Sequence, residues 1–149
     1  MDKLIRTSSQ DSNFRELVAL LDSDLAERDG SDNAFYAQFN GIVQLKHCVV
    51  FYSDETAVAC GAFKQFDEVS VEVKRMYVLP AYRGKGIAKK VLRELENWAK
   101  ELRFNHCVLE TGLRQPEAIA LYKKNNFQII DNYPPYKNMK NSVCFKKEL

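Results

Sequence analysis

In Val71-Glu72-Val73-Lys74-Arg75-Met76-Tyr77-Val78-Leu79-Pro80-Ala81-Tyr82-Arg83-Gly84-Lys85-Gly86-Ile87-Ala88, a strand pattern runs through a proline-marked turn into a glycine-rich helix start. Apolar residues alternate with charged ones in the manner of a strand, and Pro80 punctuates the turn. From Ile87 the period changes: Ile87, Val91, Leu92, Leu95, Trp98, Ala99 and Leu102 form one apolar stripe with charges opposite, a long amphipathic helix. Gly84 and Gly86 have no side chain to block close approach. The backbone N–H groups of Arg83, Gly84, Lys85, Gly86, Ile87 and Ala88 can therefore point at an anion on the positive end of the helix dipole. Arg83, Lys85, Lys89 and Lys90 add charge there, and a phosphate or pyrophosphate is the natural ligand. A Gly-x-Gly by itself more often makes only a tight turn. The chain has no Gly-x-x-x-x-Gly-Lys-Ser/Thr, which argues against a nucleotide triphosphatase, and it lacks the third glycine of the dinucleotide fingerprint.

Upstream, residues 3–6 read as a short strand. Phe14, Leu17, Val18, Leu21 and Leu25 follow at helical spacing, with Asn13 and Glu16 placed as a cap and its partner. Residues 30–33 read as a loop and 34–40 as a short helix. Strand-like runs at 47–52, 57–66 and 69–78, parted by Ser53-Asp54 and Asp67-Glu68, predict an antiparallel meander. Downstream, 106–111 reads as a strand, Pro116 fits the first turn of a helix carrying Ala118, Ile119 and Tyr122, and 142–147 reads as a last strand. This order predicts the α+β (mixed α/β) class, a central mixed but mostly antiparallel sheet with helices on both faces.

With 149 residues, no repeat and no Pro/Ser-rich linker, the chain reads as a single domain, 1–149. Its 46% hydrophobic and 28% charged residues are those of an ordinary globular protein. Twenty-two basic against 20 acidic residues leave a net charge of +2, which gives no reason to expect a nucleic-acid partner. No apolar run approaches the ~20 residues that cross a bilayer, and Met-Asp-Lys-Leu-Ile-Arg lacks the apolar core of a signal peptide, so no membrane partner and a cytoplasmic location are expected. His47 and His106 each precede one of the four cysteines, Cys48, Cys60, Cys107 and Cys144. Two His-Cys pairs could meet to bind zinc. The favoured expectation is no metal, with reduced cysteines acting as small buried hydrophobes in apolar, β-branched runs.

Arg83-Gly84-Lys85-Gly86-Ile87-Ala88 resembles the acyl-coenzyme A signature of the GNAT (Gcn5-related N-acetyltransferase) superfamily, Arg/Gln-x-x-Gly-x-Gly/Ala after a strand. A second match follows Leu109-Glu110-Thr111-Gly112. Gln115-Pro116-Glu117-Ala118-Ile119-Ala120-Leu121-Tyr122-Lys123-Lys124-Asn125-Asn126-Phe127 is similar to the family's Asn-x-x-Ala-x-x-Leu-Tyr-x-x-x-Gly-Phe. It departs from the pattern twice: Gln115 stands for an Asn that contacts the pantetheine arm, and Asn126 stands for the Gly that ends the helix. Asn also tolerates the left-handed conformation such a cap requires. The two motifs span roughly the second half of the chain; the first half agrees in element order only.

The resemblance implies a GNAT-like fold and transfer of an acetyl group from acetyl-CoA, the acyl-donor substrate, to the amine of a small molecule, directly within a ternary complex. It implies that the backbone of Met76 and Val78 pairs with the pantetheine arm, that Arg83 to Ala88 hold the pyrophosphate, that Tyr122 is the general acid and that Glu72 occupies a general-base position. An amide near Met76 or Tyr77 would receive the oxyanion. Other outcomes stay open: a catalytically inactive CoA-binding sensor or interaction domain, acetylation of a protein or peptide amine, transfer to an oxygen, and a homodimeric assembly. Ordinary core and surface roles are the competing explanation for Tyr122, beside Ala118 and Ile119, and for Glu72 as a solvated strand residue. A cationic amine must lose a proton before it attacks, so carboxylates such as Glu72 and Glu110 suit its cleft. Lys74 and Arg75 could instead hold an acceptor carboxylate, as in an amino acid. Strand alternation sends Glu72, Lys74 and Met76 to one face and Arg75 and Tyr77 to the other, with one of Lys74 and Arg75 facing solvent. Tyr133-Pro134-Pro135-Tyr136 reads as an aromatic loop that walls the acceptor site or as a surface turn.

Overall fold

Seven strands form one sheet in the order β1-β2-β3-β4-β5-β7-β6 in the computed structural model, which describes residues 1–37 and 45–149. The strands are β1 (Asp2–Thr7), β2 (His47–Ser53), β3 (Thr56–Gln65), β4 (Ser70–Val78), β5 (His106–Gly112), β6 (Gln128–Ile130) and β7 (Ser142–Glu148). The helices are α1 (Ser12–Asp29), α2 (Asn33–Ala37), α3 (Ile87–Glu101) and α4 (Pro116–Lys124). The meander β2-β3-β4 is antiparallel as the turn residues predict, and every other pairing is antiparallel except β4 with β5. This is the mixed, mostly antiparallel sheet expected. Strand β6 escapes the sequence reading because three residues are too few to show a period. Residues 30–32 form a 3-10 turn where a loop is expected, and 38–40 of the expected short helix lie outside the described residues.

Period-2 alternation divides the strands between two packed layers. Val49, Phe51, Val58 and Val71 meet Val91, Leu92 and Leu95 of α3, while Cys48, Val50, Cys60 and Ala62 meet Phe14, Leu17 and Val18 of α1. All four cysteines are buried and free, and burial pushes Cys60 and Cys107 up to about 12, so they act as small apolar groups. The cap of α1 is Asp11, whose carboxylate accepts from the Phe14 N–H at 3.0 Å; the expected cap, Asn13, instead donates to the Tyr52 hydroxyl at 3.0 Å. Aspartate serves as well as asparagine at this position, and the helix starts two residues earlier.

Alternation fails at one place in β4. Cys60 pairs with Tyr77 and Ala62 with Lys74, so the single residue Gly61 stands opposite both Arg75 and Met76, and Arg75 has φ 62°. This is a β-bulge. It carries Met76 to the α3 side with Val73 and Val78, and brings Arg75 and Tyr77 to the α1 side, correcting the faces read from strict alternation. Just ahead of the bulge β4 leaves its parallel neighbour: β4 and β5 pair only through Ser70, Val71 and Glu72. Residues 73–78 of β4 and 109–112 of β5 then part.

A Cβ on Gly61 would lie 2.6 Å from Met76 Sδ and 2.9 Å from both Leu95 Cδ1 and Val91 Cγ1. Methionine can yield, but Val91 and Leu95 are fully buried in α3. Gly61→Ala is therefore expected to cost ~1–3 kcal/mol, seen as a lower urea midpoint at unchanged m. An unaltered midpoint would refute the close approach.

Candidate active site

The gap between the parted strands opens into a cavity of about 450 Å³ that reaches from the start of α3 to the tyrosines near β7. At one end Gly84 (φ 79°) and Gly86 (φ 78°) take the left-handed conformation that glycine adopts without strain, and a Cβ on either would meet nothing within 4 Å. Gly86 is the cap residue of α3, and its carbonyl accepts from the Lys90 N–H at 3.3 Å. That leaves the N–H groups of Ile87, Ala88 and Lys89 without helical partners, facing an open space with the positive end of the dipole behind them. This cradle fits a pyrophosphate.

The wall next to the cradle is a strand edge. Leu79 N–H donates to the Val58 carbonyl at 2.8 Å, so the ladder to β3 uses Leu79 and turns the Val78 carbonyl toward the gap. There Arg83 Nε donates to it at 2.8 Å, with the guanidinium over the Tyr77 ring. Backbone groups along residues 73–78 are available for an added extended segment. Met76, Tyr77 and Val78 all border the cavity, as do Arg83, Gly84, Gly86, Ile87, Ala88 and Gln115. Lys85 does not line it, and its ammonium lies over the Tyr82 ring.

Tyr122 closes the middle of the cavity from α4. The helix ends in a Schellman motif: Phe127 N–H donates to the Tyr122 carbonyl at 3.0 Å and Asn126 N–H to the Lys123 carbonyl at 3.3 Å, with Asn126 at φ 72° as expected for its substitution of glycine. Phe127 and Phe145 clamp the Tyr122 ring at 5.6 and 5.7 Å, and its hydroxyl makes no hydrogen bond among the described residues. Burial, with Glu110 nearby, raises the pKa of this phenol, so it stays protonated.

Charged residues collect at the far end. Glu72 is buried, and its Oε2 accepts from the Tyr133 hydroxyl at 2.8 Å while Lys74 Nζ lies 3.7 Å from Oε1. Burial lifts the Glu110 carboxyl to about 7, against smaller opposing effects of Ser142 and Lys74. Ser142 is itself hydrogen-bonded to the Tyr36 hydroxyl at 2.8 Å. Tyr136 is buried and borders the cavity, while Pro134 and Pro135 are exposed, so this stretch is a surface turn whose Tyr136 side chain forms part of the cavity wall. Lys74 and Arg75 are both buried, against the expectation that one faces solvent. Sequence reasoning missed Tyr36, Ser142 and the hold of Tyr133 on Glu72, since nothing local signals them. Among the described residues no His/Cys/Asp/Glu cluster could hold a metal, and no helix is long and apolar enough to cross a membrane.

A family model described as Acetyltransferase (GNAT) family matches residues 14–127. The chain belongs to the GNAT acetyltransferase family. A Klebsiella pneumoniae protein assigned to the acyl-CoA N-acyltransferases superposes with a TM-score of 0.84 at 30% identity, over 100% of this chain and 98% of that one. A GNAT acetyltransferase from Elizabethkingia anophelis, solved with acetyl-CoA bound, gives 0.71 at 16% identity over 99% and 98% of the two chains, a likeness of fold. The Escherichia coli N-acetyltransferase YjgM is 48% identical over 60 residues, which are 40% of this chain and only 36% of YjgM.

An acid whose pKa rises on folding makes the folded state bind more protons than the unfolded state. For Glu110 this holds between the ordinary carboxyl value of 4.5 and about 7, so its contribution to stability falls as pH rises through that window and stays unfavourable above it. Glu110→Gln is expected to stabilise the protein by roughly 1–2 kcal/mol near pH 8 and to change little near pH 4. Equal shifts in Tm at the two pH values would contradict the burial of this carboxyl.

Proposed function

We propose that this chain, as a single-domain enzyme, transfers the acetyl group of acetyl-CoA directly to the amine of a small molecule. The observation that carries this reading is the continuity of one cavity, from the glycine cradle past Tyr122 to Glu110 and Glu72. The unpartnered N–H groups at the start of α3 hold the pyrophosphate, and Lys89 adds charge beside them. Residues 76–78 pair with the pantetheine arm as an added strand, and Gln115, at the start of α4, faces the same arm. This places the thioester beside the bulge, where the Met76 amide is the donor for the oxyanion that forms on attack.

Proton transfers fall to the side chains. The amine arrives as a cation and must lose a proton, and a carboxyl poised near 7 accepts it at neutral pH with little driving force wasted. We therefore assign the base to Glu110 ahead of Glu72, whose carboxylate is engaged by Tyr133 and flanked by Lys74. Glu72 serves to attract the cation. The Tyr122 hydroxyl, protonated and without a hydrogen bond among the described residues, donates to the departing thiolate, whose parent thiol has a pKa of ~8.5. Transfer through a cysteine intermediate is disfavoured because all four thiols are buried.

Coenzyme A release measured with a panel of amines, amino acids and peptides tests the reading; acetylation confined to folded proteins or peptides would overturn the small-molecule acceptor. Tyr122→Phe is expected to lower kcat by ~10²-fold or more while coenzyme A affinity stays nearly unchanged. Unaltered kcat, with chemistry rate-limiting, removes the tyrosine from the mechanism. With Glu110 as base, kcat/KM rises with pH as the carboxyl ionises and levels off above about 7, and Glu110→Gln abolishes that limb. A greater loss in Glu72→Gln, with the limb retained in Glu110→Gln, would move the base to Glu72.

A further inference from the structure

The bulge in β4 does more than part the strands. By adding a residue, it turns Lys74 and Arg75 to the same side of the sheet, beneath α1, where little of either is exposed: their side chains are 9% and 2% exposed. Two adjacent buried cations are costly unless their donors are used. Arg75 uses part of its fork, Nη2 donating to Asp22 of α1 at 2.7 Å, while Nε and Nη1 are buried with no hydrogen-bond partner among the described residues. Lys74 stands at the cavity wall. Its nearest carboxylate, Glu72, is 3.7 Å away, beyond hydrogen-bond length, and its ammonium makes no hydrogen bond among the described residues. Glu72 already accepts from Tyr133 and has Lys64 as a second cation at 3.9 Å, so it cannot serve Lys74 alone.

We propose that Lys74 is the anchor for a carboxylate carried by the acceptor, and that the acceptor is accordingly an amino acid or a close amino-carboxylate analogue. The proposal rests on the acetyl-transfer reading and narrows its substrate. Glu110 and Glu72 take the amino group, as any ammonium acceptor requires. A simple alkylamine would then place a second positive charge beside an already under-bonded lysine, which disfavours it. A carboxylate on the same molecule reverses the sign of that encounter and supplies the oxygens the Lys74 N–H groups lack. Arg75 is occluded and makes no contact with the acceptor; its charge, shared with the half-exposed Asp22, adds positive potential behind Lys74.

Amino acids and their decarboxylated or amide counterparts on the same carbon skeleton form the matched pairs for the test. The carboxylate form is expected to have a kcat/KM at least ~10-fold higher, mostly through KM, the range of one charged hydrogen bond. Lys74→Met should erase that preference, with a loss at least ~10-fold larger for the amino acid than for its counterpart, and Lys74→Arg should restore part of it. Equal or better use of the decarboxylated amines, or equal losses for both members of a pair in Lys74→Met, overturns the proposal. Calorimetry on the acetyl-CoA-loaded protein separates this from failure of the wider reading. If acetyl-CoA binds but no amine is acetylated, the transferase reading falls, and a Lys74-dependent preference for binding the carboxylate form still decides the anchor. If neither form binds, the anchor falls as well.

Discussion

The left-handed backbone of Arg75 is the constraint on which the site depends. A non-glycine residue at φ 62° costs on the order of 1–2 kcal/mol, and it persists only where its surroundings over-determine it. Three local features do so. Gly61 leaves room on the neighbouring strand for Met76 to fold across, Cys60 Sγ donates to the Arg75 carbonyl at 3.3 Å, and the Arg75 guanidinium is tied to Asp22. The extra residue increases the local twist of β4, and β4 and β5 separate after Glu72 and Val108. An unbulged strand would keep its partner, and the backbone edge and the cavity would both be lost to the ladder.

The elements around the gap are tied across it by charge. Arg28, at the end of α1, is ion-paired with Glu117 in the first turn of α4, and Arg114 Nη1 donates to the Asp29 carbonyl at 2.8 Å. Asn141 donates to Asp32 at 2.9 Å, joining the turn after α1 to the approach to β7. Each surface pair contributes little alone. Together they hold the end of α1 over the open end of the sheet, so this end of the cavity is bounded by α1, by Tyr36 of α2 and by Tyr136 as well as by strands. The separation also grades the potential along the cavity: helix N–H groups and lysines at one end, Glu72 and Glu110 at the other.

Much of this was legible in the sequence, and the division has a physical basis. Alternation revealed six of the seven strands, and the glycines revealed the anion cradle, because both signals are local in the chain. Asn126 at the end of α4 could be read as a left-handed cap for the same reason. The faces of β4 could not, since a bulge is a property of two strands; its one sequence trace is Gly61 inside an otherwise apolar, β-branched run, which marks close approach without saying from where. The end with Glu72 and Glu110 was the least legible. Tyr133 reaches Glu72 across 61 residues and Tyr36 reaches Ser142 across 106, and no periodicity connects such pairs.

That contrast follows from what each half of the cavity presents. The end at the start of α3 presents backbone: N–H groups at a helix start, a strand edge, a left-handed turn. Its requirements fall on a few consecutive residues and tolerate change elsewhere, so they leave a motif. The opposite end presents side chains from β4, β5, β7 and α2, whose relative positions are set by the bulge and by packing. Lys74 and Arg75 show the consequence: strict alternation would put one of them in solvent, and one inserted residue makes them a buried pair. The glycine cradle is thus written in local sequence, whereas the charged cluster at the other end of the cavity is written in tertiary structure.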